Sequence, residues 1–219
     1  MNLENYFGVV EEWSSVTLVT PVPPYPEPRA LNPDNSINHH ALTINHLPMN
    51  VLLHVCCAPC STHSVAVLME QYSVTLFFSD SNIHPFSEYQ KRLDDVRRFA
   101  QLSCLPLIED EYNHAAWLEW ISGLENEPEK GARCVKCFEF NLGRTARYAR
   151  EHGFDFFTTT LSISPHKHSQ TIFDIGMKLG PFLPVNFKKQ DGFKKSRDLS
   201  RTFELYRQEY CGCEFSLRS

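Results

Sequence analysis

The sequence predicts an α/β protein whose parallel sheet is flanked by helices. Its first sign is a continuous apolar run, Val51 to Val55, passing into the Pro-containing turn CCAPCST; such a run fits a strand buried on both faces of a parallel sheet. The second is a set of further short runs rich in apolar, β-branched and aromatic residues, at Val74 to Ser79, Leu105 to Ile108 and Phe154 to Phe157. The third is the helical spacing between them, clearest in Phe86, Tyr89, Leu93, Val96 and Phe99.

With 219 residues the chain can bury one full core. Its 42% hydrophobic and 21% charged residues are ordinary for a globular protein. Residues 1–48, which carry PVPPYPEP and LNPDNSINHH, show no sustained period and are expected to form an extended, Pro-rich leader. Residues 49–219 are expected to be a single α/β catalytic domain. His39 and His40 could pair on a metal, but nothing nearby completes a ligand set. The opening MNLENYFGVV lacks the basic start and apolar core of a secretory signal, and no run reaches the roughly 18 apolar residues of a membrane span. A cytoplasmic protein without a membrane partner is therefore expected. In that reducing compartment its 8 cysteines point to metal or redox chemistry rather than to a disulfide framework. The net charge of -5 argues against a nucleic-acid surface spanning the whole chain and allows a local basic patch.

Taken in order, Ser61 and Thr62 are expected to cap a helix from His63 to Tyr72. Cys56, Cys57 and Cys60 then lie in a strand-to-helix turn at a strand's carboxyl end, where open α/β sheets bind ligands and a helix N-terminus favours thiolate. Beyond the second strand, Asp80, Asn82 and His84 either line the same crevice or form a turn before a helix starting at Pro85. On that helix Lys91, Arg92, Asp94, Asp95, Arg97 and Arg98 fall outside the apolar stripe. Cys104 is isolated from the other thiols and reads as a small packing residue.

A helix from His114 to Ile121 follows, with Trp117 and Trp120 as packing anchors. The loop LENEPEKGA leads to Arg133, Cys134 and Cys137, a C-x-x-C whose sulfurs share one helical face. By itself the pair suits a thioredoxin-like motif, half a zinc site or half an iron–sulfur site. The same helix turns Leu142, Ala146 and Ala149 inward and gives Arg144, Arg147 and Arg150 to a basic edge that suits either solvent or RNA. Thr158, Thr159, Thr160, Ser162 and Ser164 gather hydroxyls at the fourth strand's end, for a polar ligand or cluster sulfur, or simply for strand propensity and capping. His166, Lys167 and His168 add titratable donors. After a helix from Thr171 to Leu179 comes the densest basic segment, Lys188, Lys189, Lys194, Lys195, Arg197 and Arg201, which suits phosphate contact or a solvated loop. Finally Cys211 and Cys213, one glycine apart, could close into a strained, reducible disulfide or supply two metal ligands.

Seven of the eight cysteines thus fall into three groups. Four thiolates satisfy one metal ion or one [4Fe–4S] cluster, and three remain, more than a purely structural zinc site needs. The strings LLHVCCAPCS, NIHP, GLENEPEKGARCVKCF, FTTTLSISPHK and LYRQEYCGC, in this order over about residues 51–215, closely resemble the QueH-type epoxyqueuosine reductases. The resemblance implies a fold like that of the adenine nucleotide α-hydrolases (HUP/PP-loop), with cysteines in place of the SGGxDS pyrophosphate loop, which this sequence lacks. It implies cobalamin-independent removal of the epoxide oxygen from epoxyqueuosine at the wobble position of tRNA, giving queuosine in the final step of queuosine biosynthesis. Residue by residue it implies Cys56, Cys57, Cys134 and Cys137 as [4Fe–4S] ligands and Cys211 with Cys213 as a redox-active disulfide. It also implies an additional iron ion beside the cluster, for which Cys60 is the candidate ligand. The partners implied are tRNA carrying epoxyqueuosine and an unidentified electron donor; His84 and His166 are candidate proton donors. A tRNA-thiolating enzyme would instead show an ATP pyrophosphate loop, and a zinc-stabilised RNA-binding module would hold zinc without iron.

Overall fold

In a computed structural model, residues 48–218 of the chain are described. The predicted leader lies outside them apart from residue 48, and so do His39 and His40. The apolar run forms β1 (Met49–Val55), with β2 (Tyr72–Phe78) on one side and β4 (Phe156–Thr159) on the other; β3 (Leu107–Glu109) extends the sheet beyond β2. The order is β3-β2-β1-β4 and every pair is parallel, as the predicted fold class requires. Alternation along β1 divides the core between the two faces. Val51, Leu53 and Val55 join one apolar cluster, while Leu52 joins the other together with Phe77 and Phe157.

Among the described residues are six α-helices: α1 (Ala58–Met69), α2 (Phe86–Leu102), α3 (His114–Trp120), α4 (Ala132–Glu151), α5 (Ser169–Leu179) and α6 (Gly192–Thr202). Residues of α1 and α2 pack into the first cluster, and those of α4 and α5 into the second. No described helix is long and apolar enough to cross a membrane.

Four local expectations are corrected. Helix α1 starts at Ala58 rather than His63, with Cys57 as its N-cap and Pro59 in its first turn, where a preset φ and a missing N–H suit a helix start. Ser61 and Thr62 are therefore inside the helix, their hydroxyls donating back to Cys57 O and Pro59 O at 3.0 Å each. Arg92 is buried on the packed face of α2. Cys104 is exposed, in a positive-φ turn after α2, so it is not a packing residue. Trp117 is fully buried, whereas Trp120 is 48% exposed and lies against Lys136 and Phe140.

Candidate metal and redox site

The chain leaves β1 towards β2 and adds β4 on the opposite side of β1 only after α4. The connections after β1 and β4 therefore run apart, opening a crevice at the strands' carboxyl ends. Cys56 and Cys57 end β1 there, and Cys60 sits in the first turn of α1. Among the described residues, these are the cysteines close enough together for one ion, with all three sulfurs within 4.8 Å of one another. Thr160, following β4, places its Oγ1 3.8 Å from Cys56 Sγ. Hydrogen bonds from the Cys56 and Cys60 thiols hold Cys57 well below the ordinary thiol range, and the Gln208 side-chain amide adds to them at 3.1 Å. Cys60 is pushed well above that range, first by its bonding to Cys56 and Cys57 and then by burial. Among the three, Cys57 is the sulfur whose thiolate is favoured, and together they are a soft donor set for a metal ion.

The other thiols face the same space. A cavity of about 400 Å³ is lined by Cys56, Cys60, Cys137 and Cys211, and an adjoining one of about 650 Å³ by Cys134, Cys137, Cys211 and Cys213. Helix α4 carries Cys134 and Cys137 in its first two turns, as their spacing predicted. Burial pushes the Cys137 thiol well above its ordinary value, and the nearby Cys211 and Cys213 push it further. Cys134 is raised by the same influences, against a hydrogen bond from the Lys130 backbone N–H. Lys167 lines both cavities. Its ammonium is strongly favoured by the neighbouring Cys211 sulfur, against the cost of burial, and Cys56, Cys60 and Cys57 favour it further. With Arg92, which Cys57 and Cys56 also favour as a cation, it compensates negative charge among these sulfurs.

Arg92 fixes the Cys211 segment from below. Its guanidinium donates to Glu88 at 2.7 Å, to Cys211 O at 3.1 Å and to Tyr210 O at 3.2 Å, while only 1% exposed. Tyr210 donates its hydroxyl to His84 O at 2.5 Å, and the His84 N–H donates to Gly212 O at 2.8 Å. Gly212 has φ +139, a conformation that side chains rarely adopt. The turn between the two cysteines is thus held by its backbone. All eight cysteines are free.

Buried polar atoms show what the space would accept. Asp80 is 4% exposed and lines the smaller cavity, and its Oδ2 has no hydrogen-bond partner among the described residues. Its Oδ1 lies 3.6 Å from Nε2 of His54, a fully buried histidine on β1. Burial alone would lower His54, but Asp80 outweighs it and raises the imidazole, while burial raises Asp80 itself. Trp117, buried in the larger cavity, donates towards the Cys137 sulfur and partly offsets the upward push on that thiol. The orphaned Asp80 oxygen wants a cation, and Trp117 is aimed at a cysteine sulfur, an arrangement that suits a thiolate-bound iron–sulfur group. The residues present therefore fit such a group.

The predicted hydroxyl cluster mostly serves the backbone. Thr158 and Ser162 donate to Leu183 O and Val185 O, Thr159 Oγ1 is 2.8 Å from His54 Nδ1, and Thr160 faces a cysteine. Asp80 and Asn82 do line the thiol cavity, whereas His84 lines neither cavity and follows the other reading, a turn before the helix that Pro85 caps. Sequence reasoning missed the buried roles of His54, Arg92 and Gln208. A signal existed for Arg92, three residues after Tyr89 and four before Val96 on the same helical face. His54 interrupts an otherwise apolar strand, which is also a signal; Gln208 has none.

A family model described as Epoxyqueuosine reductase QueH matches residues 51–219. The Streptococcus pyogenes serotype M1 protein named Epoxyqueuosine reductase QueH is 39% identical over 180 residues, covering 77% of this chain and 71% of its own. The Acinetobacter baylyi protein of that name is 40% identical over 175 residues, covering 77% and 80%. The one from Staphylococcus epidermidis is 36% identical over 179 residues, covering 76% and 75%. On this match across most of its length, the chain belongs to the epoxyqueuosine reductase QueH family, a family of oxidoreductases.

Proposed function

We propose that the protein reduces epoxyqueuosine at the wobble position of tRNA to queuosine, the final step of queuosine biosynthesis. The observation that carries the reading is the convergence of three separated cysteine groups on one pair of adjoining cavities at the sheet's carboxyl end. Cys56, Cys57, Cys134 and Cys137 would hold a [4Fe–4S] cluster, and Cys60, with Asp80 in the same cavity, would hold an additional iron. Bound there, these groups supply electron transfer and a Lewis acid for the epoxide oxygen.

The chain's own residues account for the rest. Removing an epoxide oxygen breaks two C–O bonds, consumes two electrons and two protons, and releases water. Oxidation of the Cys211 and Cys213 thiols to a disulfide releases two electrons and two protons, so the dithiol balances the reaction without cobalamin. An external electron donor must then reduce the disulfide. Lys167 stabilises negative charge on the oxygen as the ring opens. The larger cavity is of a size for one nucleotide, and Lys130 and Lys188 line it where phosphates can approach. A base in a single-stranded anticodon loop can be splayed out to enter it.

The test is anaerobic reconstitution with iron and sulfide, followed by assay on tRNA carrying epoxyqueuosine. Cys56→Ala is expected to lose the visible iron–sulfur absorption and turnover, and Cys211→Ala to lose multiple turnover. Lys167→Met is expected to slow the reaction about 10²–10³-fold, the usual effect of removing one charge-stabilising group. Full turnover in both cysteine variants would overturn the reading.

A further inference from the structure

Outside the thiol site, three side chains from distant segments meet at one point. His84 follows β2, His114 opens α3, and Glu214 comes directly after Cys213. One ligand atom from each lies within 4.8 Å of the others, and all three residues are half-buried. None of them lines either thiol cavity. The two imidazoles stack with centroids 5.0 Å apart.

The hydrogen-bond inventory does not close without a cation. His114 Nδ1 lies 2.8 Å from Ser81 O, and a carbonyl can only accept, so Nδ1 carries the hydrogen. Nε2 of the neutral ring then presents its lone pair to Glu214 Oε1, 3.1 Å away. Two acceptors at that distance repel unless something positive lies between them. A proton on Nε2 would serve that pair alone. It would leave Glu214 Oε2, which is buried without a partner, and both ring nitrogens of His84, which have no hydrogen-bond partner among the described residues. A metal ion serves all three side chains at once.

We propose that His84, His114 and Glu214 form a site for a divalent transition-metal ion, separate from the thiol site. Two imidazoles and one carboxylate are a ligand set that zinc takes, with a fourth position left for water. Ser81 O on Nδ1 is the orienting partner that metal-bound histidines usually have. The site's place in the chain gives it a purpose. His84 already accepts from Tyr210 and donates to Gly212, and Glu214 adjoins Cys213, so an ion here pins the Cys211–Cys213 turn to the end of β2 and the start of α3.

The probe is zinc chloride with the full-length protein. Crystals of the parent soaked in it are expected to show anomalous scattering above the zinc edge, and none below it, at about 2.0–2.2 Å from His84, His114 and Glu214. Metal analysis after gel filtration should find one zinc ion fewer per chain in His84→Ala and in Glu214→Gln, with thiol-bound metal unchanged. The absence of a peak at these three side chains, or zinc confined to the cysteines, would overturn the proposal. The parent crystal decides the matter even where a variant fails to fold.

Discussion

Arg92 shows how a single residue anchors a distant segment of chain. A buried guanidinium is costly unless its donors are matched, and here Glu88 supplies the charge while two carbonyls of the Cys211 segment take the remaining fork. Arg92→Leu would leave both carbonyls unpaired and Glu88 without its cation, with only the Tyr206 hydroxyl donating to it, in a packed setting. It is expected to lower stability by about 3–5 kcal/mol, read as a shift of the urea midpoint. Anaerobic iodoacetamide should also alkylate Cys213, which is 8% exposed, faster than in the parent. Unchanged midpoint and labelling together would mean that Arg92 does not anchor the turn. The cysteines themselves were legible because their spacing carries meaning within a few residues. The spacing of Arg92 put it on the packed face, but its role was not legible, because the Tyr210 and Cys211 carbonyls that it holds lie more than a hundred residues away.

At the scale of elements, the interior of α5 sets helix propensity against packing. Gly176 is buried in that helix, and a Cβ there would come within 2.5 Å of the Phe182 ring. Alanine gains up to about 1 kcal/mol of propensity in a helix interior, while overpacking a fixed aromatic costs about 1–3 kcal/mol. Phe182 cannot easily retreat, because the segment bridges β4 at Phe157 and the two rings pack edge to face. Gly176→Ala is therefore expected to lower the melting temperature; a rise would mean that Phe182 swings away freely. The junction of β3 with α4 makes a different claim. Burial alone would raise Asp110, but hydrogen bonds from Arg144 and Ser79 outweigh it and hold the carboxyl below its ordinary value. A carboxyl lowered by folding stabilises the protein above the unfolded pKa and loses that contribution as pH falls through the folded value. Arg144→Met should cost about 1.5–3 kcal/mol at pH 7, the worth of hydrogen bonds to a charged group. The gap between variant and parent in urea should narrow below about pH 4; a gap independent of pH would exclude the ion pair as its source. The basic edge predicted on α4 is thus partly internal, since Arg144 is spent on Asp110. Likewise the start of α1 shifted because Pro59 favours a first helical turn more strongly than Ser61 or Thr62 favours a cap.

For the whole molecule, the apolar runs named the strands and the parallel class but not their order. That β4 lies beside β1, and so where the crevice opens, depends on contacts a hundred residues apart that no local pattern encodes. The net charge of -5 sets a related condition on the proposed substrate: tRNA can be held only where positive charge is locally dense. Helix α6 and the loop before it meet that condition, and Ser196 docks the helix on α1 by donating to Pro59 O at 2.5 Å, one residue before Cys60. Lys189, Lys194 and Lys195 are exposed there. Phosphate contacts made by exposed lysines release counterions, so each one lost should reduce the slope of log affinity against log salt by about 0.7–0.9. The triple variant Lys189→Gln, Lys194→Gln, Lys195→Gln is therefore expected to bind epoxyqueuosine-bearing tRNA more weakly at low salt and to converge on the parent as salt rises. Its urea midpoint should stay within about 0.5 kcal/mol of the parent, as surface substitutions usually do. An unchanged salt slope would place the RNA on another face of the protein, away from α6.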